Sequence, residues 1–233
     1  MRTREQDNAG DNAVTLSESL PMRLPAGDVT LAGDLEIPEN AIGLVLFAHG
    51  SGSSRLSPRN QAVAAALRGA GLGTLLFDLL TTHEEAEDAL TGHLRFDIRL
   101  LARRLAAATL AVAENPHSHH LPIGYFGAST GGAAALIAAA ALTATVHAVV
   151  SRGGRPDLAG EALPMVKAPT LLMVGERDEE VLRLNRDAHE QLQCEKGIAI
   201  IPHAGHLFQE PGELAEVSRL AARWFSIHLR RKT

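Results

Sequence analysis

A serine hydroxyl is a weak nucleophile until a neighbouring imidazole takes its proton. One serine in this chain sits in the context that such chemistry requires. Gly127-Ala128-Ser129-Thr130-Gly131 follows an apolar run (Leu121, Ile123, Tyr125, Phe126) and opens an alanine-rich one from Ala133 to Ala141. That is a G-x-S-x-G sequence between a predicted strand and a predicted helix, the setting of a nucleophile elbow. A serine on so sharp a turn has strained dihedrals, and only very small residues on either side let strand and helix approach. Its hydroxyl is then exposed at the sheet edge, and the helix start behind it offers free N–H groups to developing negative charge.

The partners of such a serine are legible further along. Asp178 lies in Gly175-Glu176-Arg177-Asp178, directly after the apolar run Thr170–Val174, and His206 lies in His203-Ala204-Gly205-His206, directly after Ile198–Ile201. His206 would act as base and then as acid, and Asp178 would fix its tautomer and stabilise the imidazolium. His49-Gly50-Ser51 follows the run Leu44–Ala48, so backbone N–H groups of Ser51 and Thr130 are the expected oxyanion donors, with Gly52 the alternative to Ser51. His203 competes with His206, while Glu176, Glu179 and Asp157 compete with Asp178 as helix caps or solvated charges. Asp78, at a strand end, reads as a turn residue.

Charge near these loops suggests what a substrate carries. Arg55 belongs to the oxyanion loop, and Arg152 and Arg155 to Ser151-Arg152-Gly153-Gly154-Arg155. Arg55 and Arg152 are the candidate contacts to a substrate carboxylate or phosphate. The opposing reading pairs these arginines, and Arg95, with Asp157, Glu161 or Asp97. The cluster His117-Ser118-His119-His120 has no carboxylate or cysteine at ligand spacing and reads as a solvated loop, so no metal is expected there.

The elements that must position these groups alternate along the chain. Strands are expected at Val14–Leu16, Val29–Ile37, Leu44–Ala48, Thr74–Phe77, the elbow run, Val146–Val150, Thr170–Val174 and Ile198–Ile201. A helix begins at Ser57-Pro58 and stops at Gly71. Another places Leu94, Ile98, Leu101, Leu105, Ala108 and Val112 on one face, and further helices lie near Val181–Leu192 and Leu214–Leu229. Thr81–Thr91 is acidic and weakly patterned. Such alternation argues for an α/β fold with a mostly parallel twisted sheet of about seven to eight strands, helices on both faces. Fewer than twenty residues separate Val150 from Thr170, so a large helical lid there is excluded and an open site is expected.

Bulk properties bound the rest. A length of 233 residues suits one domain, expected over residues 13–233 after a disordered tail at residues 1–12. A net charge of −5, with arginines scattered, argues against a nucleic-acid partner, and 3% aromatic residues argue against a stacking platform. Cys194 is the single cysteine and cannot form an internal disulfide, which fits a reducing compartment. With no apolar leader and no run near the roughly 18 residues a membrane span needs, a cytoplasmic location and no membrane partner are expected. Oligomeric state stays open, a homo-oligomer included.

With Ser129, Asp178, His206 and the His49-Gly50 loop in that order, the chain resembles the α/β-hydrolase superfamily from about residue 14 onward. More narrowly it resembles the lidless dienelactone-hydrolase-like group, through Phe-Ala-His-Gly-Ser-Gly-Ser-Ser (47–54), Gly-Tyr-Phe-Gly-Ala-Ser-Thr-Gly-Gly (124–132) and Val-Ser-Arg-Gly-Gly-Arg-Pro-Asp-Leu (150–158). Similar bacterial hydrolases of unassigned substrate occur fused to a phosphoribosyltransferase-like domain, and no such second domain is expected here. True dienelactone hydrolases carry cysteine at the elbow, where this chain has Ser129. The resemblance therefore implies a serine hydrolase of small carboxylic esters working without metal or organic cofactor. The alternatives are a thioesterase, acyltransferase or lactonase on the same three residues, or a homologue that binds a ligand without turnover.

Overall fold

The structure is a computed structural model, and it describes residues 19–210 and 212–230. Its strands are β1 (Leu20–Ala26), β2 (Val29–Glu36), β3 (Leu44–Ala48), β4 (Gly73–Phe77), β5 (Ile123–Ala128), β6 (Val146–Arg152), β7 (Thr170–Gly175) and β8 (Lys196–Ile201). They form one sheet in the order β1-β2-β4-β3-β5-β6-β7-β8. Only β2 runs against its neighbours, and the rest of the sheet is parallel. The helices are α1 (Pro58–Gly69), α2 (Thr82–Thr91), α3 (Ile98–Glu114), α4 (Thr130–Ala141), α5 (Glu179–Gln191) and α6 (Glu213–His228).

Strands buried on both faces explain the continuous apolar runs in the sequence. Along β3, Leu44, Leu46 and Ala48 enter one core cluster and Val45 and Phe47 the other. The first core is closed by α3, α4 and α5, with residues such as Leu105, Leu136 and Ala188. The second is closed by α1 and α6, through Val63, Leu67, Val217 and Phe225. Helix α4 is buried nearly all round, and its alanines (Ala133, Ala134, Ala135, Ala138, Ala139) let neighbouring elements come close to it. One polar pair enters this core. Thr109 donates its hydroxyl to Leu105 C=O, so Tyr125 Oη, 2.5 Å away, must donate to Thr109 Oγ1.

The expected strand at Val14–Leu16 lies outside the described residues. Among the described residues the strand preceding β2 is β1, whose Pro21 and Pro25 suggest a break in the sequence. As the edge of the sheet, β1 can carry prolines that donate nothing to a ladder. The acidic stretch at Thr81–Thr91 is helix α2, started by a capping box in which Thr81 Oγ1 accepts from Glu84 N and Glu84 accepts from Thr81 N. The amphipathic face beginning at Leu94 is divided by Asp97, whose carboxylate accepts from Leu100 N at 2.9 Å and starts α3 one residue later. Between β6 and β7 the chain makes only a short 3₁₀ segment, Pro156–Met165.

Candidate active site

Ser129 follows β5 immediately and precedes the first residue of α4. Its backbone has φ 51° and ψ −122°, a conformation that costs a non-glycine residue about 1–3 kcal/mol. The surrounding backbone holds it there. Its C=O accepts from Gly132 N at 3.0 Å and from Arg155 N at 3.1 Å, and its N–H donates to Arg152 C=O at 3.3 Å. The flanking glycines are steric requirements. A Cβ on Gly127 would lie 2.6 Å from Gly131 C=O, and one on Gly131 would lie 2.1 Å from Ala48 C=O.

Asp178 occupies the N-cap position of α5, yet its side chain makes no capping hydrogen bond. Its Oδ2 lies 2.6 Å from His206 Nδ1 instead. With Nδ1–H donated to that carboxylate, the neutral ring presents Nε2 as its proton acceptor. The aspartate side chain is 16% exposed and the imidazole 41%, so the carboxylate is sheltered while the ring stays reachable. Ser129 and His206 line one cavity of about 250 Å³, together with Ser51, Arg59 and Arg152. Two of the competing carboxylates are engaged elsewhere: Glu176 accepts from His203 N at 2.8 Å, and Asp157 holds Arg155 through two 2.8 Å hydrogen bonds.

His49 supports the loop that follows β3. Its Nε2 accepts from Leu79 N at 3.0 Å, which leaves Nδ1–H to donate to Gly50 C=O, also at 3.0 Å. Burial pushes its pKa below the usual histidine value and keeps the ring neutral, the form both bonds need. Ser51 N–H donates to Thr130 Oγ1 at 3.0 Å, which ties the loop to the first turn of α4. The expected donor at Ser51 is thus at the site, with a hydroxyl as its partner. Thr130 N–H belongs to the first turn, whose N–H groups have no intrahelical acceptor.

The arginines separate into two kinds. Arg55 is held by Asp34 at 3.0 Å and by Asp78, which also accepts from Arg55 N at 2.8 Å. This corrects its expected availability to substrate: Arg55 fastens the loop that follows β3 to β2 and to the end of β4, and Asp78 is the anchor rather than a simple turn residue. Arg95 pairs with Asp88, not Asp97. Arg152 keeps its place at the cavity wall, and Arg59, which the sequence did not single out, joins it there. Its position two residues after a helix cap looks solvent-facing, and only folding brings it beside β6.

Cys194 lies beside Thr170, at the start of β7 and therefore at the sheet edge opposite the Ser129 end. The cluster His117–His120 likewise precedes β5, whose far end carries Ser129. Among the described residues, no group of three or more His, Cys, Asp or Glu is placed to hold a metal ion, and no helix is long and apolar enough to cross a membrane.

An eight-stranded, mostly parallel sheet carrying a strained serine after β5 and a histidine–aspartate pair after β8 and β7 defines an α/β-hydrolase fold. The dienelactone hydrolase family model matches residues 59–226, and the chain belongs to that family of hydrolases. A crystal structure of dienelactone hydrolase from Anabaena variabilis is 60% identical, covers 91% of this chain and 99% of its own, and superposes with a TM-score of 0.90. Est1E from Butyrivibrio proteoclasticus, 16% identical over 89% of this chain and 98% of its own, shares the fold with a TM-score of 0.74. A protein of Mycobacterium tuberculosis strain H37Rv, provisionally named a phosphoribosyl transferase, is 51% identical over 96% of this chain. The chain spans about half the length (51%) of the curated relatives it matches.

Proposed function

We propose that the chain hydrolyses small carboxylic esters through an acyl-enzyme on Ser129. His206 Nε2 takes the Ser129 proton as Oγ attacks the ester carbonyl, and then returns it to the departing alkoxide. Water, deprotonated by the same ring, attacks the acyl group, and the imidazolium then protonates the departing Ser129 oxygen, which releases the acid and restores the enzyme. Asp178 holds the ring through the 2.6 Å bond and stabilises the imidazolium. The tetrahedral oxyanion is met by Thr130 N–H and by Ser51 N–H, which exchanges the Thr130 hydroxyl for the stronger acceptor. Removing one such donor typically costs ~10²–10³-fold in turnover.

The observation that carries this reading is the conjunction of the Asp178–His206 bond with a strained Ser129 on the wall of the same cavity. The family and the Anabaena structure, named a dienelactone hydrolase, support hydrolysis of a carbonyl ester. The phosphoribosyl transferase name belongs to chains about twice as long. Turnover of a short-chain p-nitrophenyl ester tests the proposal. Release of p-nitrophenol by the native protein, with a burst matching the enzyme concentration when deacylation is slow, is expected. Equal turnover by Ser129→Ala would refute it.

A further inference from the structure

Two guanidiniums reach the Ser129 cavity without a carboxylate. Arg59 comes from the first turn of α1 and Arg152 from the last position of β6. Arg152 is only 9% exposed, and its Nε and Nη1 are buried with no hydrogen-bond partner, as is Arg59 Nε. The other buried arginines are neutralised: Arg68 lies against Glu36 and Arg104 against Glu84. Phe208, two residues beyond His206, sets its ring 5.8 Å from Arg152 Cζ. That contact orients the guanidinium and supplies no counter-charge.

We propose that Arg59 and Arg152 form a subsite for a dianionic phosphate monoester group carried by the ester substrate. The inference rests on the hydrolase reading and names its substrate class. Two positive charges sharing one small cavity are left half-compensated by a single carboxylate and are matched by a phosphate dianion. Guanidinium forks pair with phosphate oxygens in bidentate fashion. Ser51, Ser53 and Ser57 line the same cavity and add donors, which suits a group with three terminal oxygens better than one with two. Burial, reinforced by Arg59, pulls the Arg152 pKa down to about 10, the mark of a cation held short of counter-charge. A second cleft of about 620 Å³ shares Gly50, Ser51, Ser53, Ser57 and Arg59 with this cavity and gives room to the remainder of the substrate. The phosphate therefore lies within a few bonds of the scissile carbonyl.

Calorimetric titration of Ser129→Ala with inorganic phosphate, succinate and acetate reads the subsite without turnover. Phosphate is expected to bind at least tenfold tighter than acetate and to tighten between about pH 6 and pH 8 as the dianion forms. Arg59→Gln and Arg152→Gln should each weaken phosphate at least tenfold while the melting temperature holds or rises, a combination that a merely structural arginine does not give. Acetate or succinate binding as tightly as phosphate, phosphate binding unchanged by either arginine substitution, or no heat at millimolar phosphate would each overturn the proposal. Fluorophosphonate labelling of native Ser129 without phosphate binding removes the subsite and keeps the hydrolase. Phosphate binding without labelling at Ser129 does the reverse.

Discussion

On the β2–β4 side of the cleft, charged groups are matched at short range. Arg55 holds Asp34 and Asp78, Arg95 holds Asp88, and Arg104 holds Glu84. Across the cleft, on the β5–β6 side, Ser129 is strained, and Arg59 and Arg152 face the cavity with buried nitrogen atoms unmatched. The first side is organised for stability: each charge there fixes a loop. On the proposed reading, the second keeps interactions incomplete so that a reacting substrate can complete them. Arg55 and Arg152, at the same end of the sheet, differ in that carboxylates pair with the first while buried nitrogens of the second have no partner.

Substitutions can break this contrast or sharpen it. On the Ser129 side, whose partners come from the loops after β7 and β8, Ser129→Ala or His206→Ala should lower ester turnover by ~10⁴–10⁶-fold with little change in the urea midpoint. Asp178→Asn keeps the shape and leaves His206 in the wrong tautomer, so a loss of ~10³–10⁴-fold is expected in the same assay. If Asp178→Asn unfolded the protein instead, that side would be structural and the contrast would fail.

The arginines give the next largest effect, and with opposite signs. Arg55→Ala leaves Asp78 buried beside the oxyanion loop without its cation and should cost about 1–3 kcal/mol in urea denaturation. Arg152→Met removes a buried cation with no carboxylate partner, and stability should hold or rise by up to about 2 kcal/mol. Equal losses for both would erase the distinction.

Smaller effects concern the supports. His49 has a folded pKa below its unfolded value near 6.5, so the unfolded chain binds the extra proton first. Its contribution is complete above about pH 6.5 and is lost as pH falls toward the folded pKa. Urea midpoints from pH 8 to pH 5 should decline, and His49→Asn should flatten that slope. Tyr125→Phe removes one donated bond to Thr109, whose own hydroxyl still donates to Leu105 C=O, and should cost about 1 kcal/mol by thermal denaturation.

Much of this was legible in the residues, for reasons that are local. A strained serine turn demands glycine at 127 and 131, and parallel strands demand runs such as Leu44–Ala48, so both leave marks within a few positions. Helix α2 also left its mark, the Thr81–Glu84 capping box, but Leu90 at 90% exposure and four acidic residues obscured any apolar face. β1 was hidden because its prolines are tolerated only at a sheet edge, and edge position is a property of the assembled sheet. The arginines were the least legible. Arg55 finds its partners 21 and 23 positions away, while Arg59 meets Arg152 across the fold, and no spacing in the chain encodes either encounter.

The most direct test of the central claim is labelling with a fluorophosphonate followed by peptide mapping. The account predicts one equivalent of adduct on the peptide containing Ser129, absent in Ser129→Ala and slowed by orders of magnitude in His206→Ala. An adduct on another residue, or labelling of native protein at the same rate as His206→Ala, would contradict it.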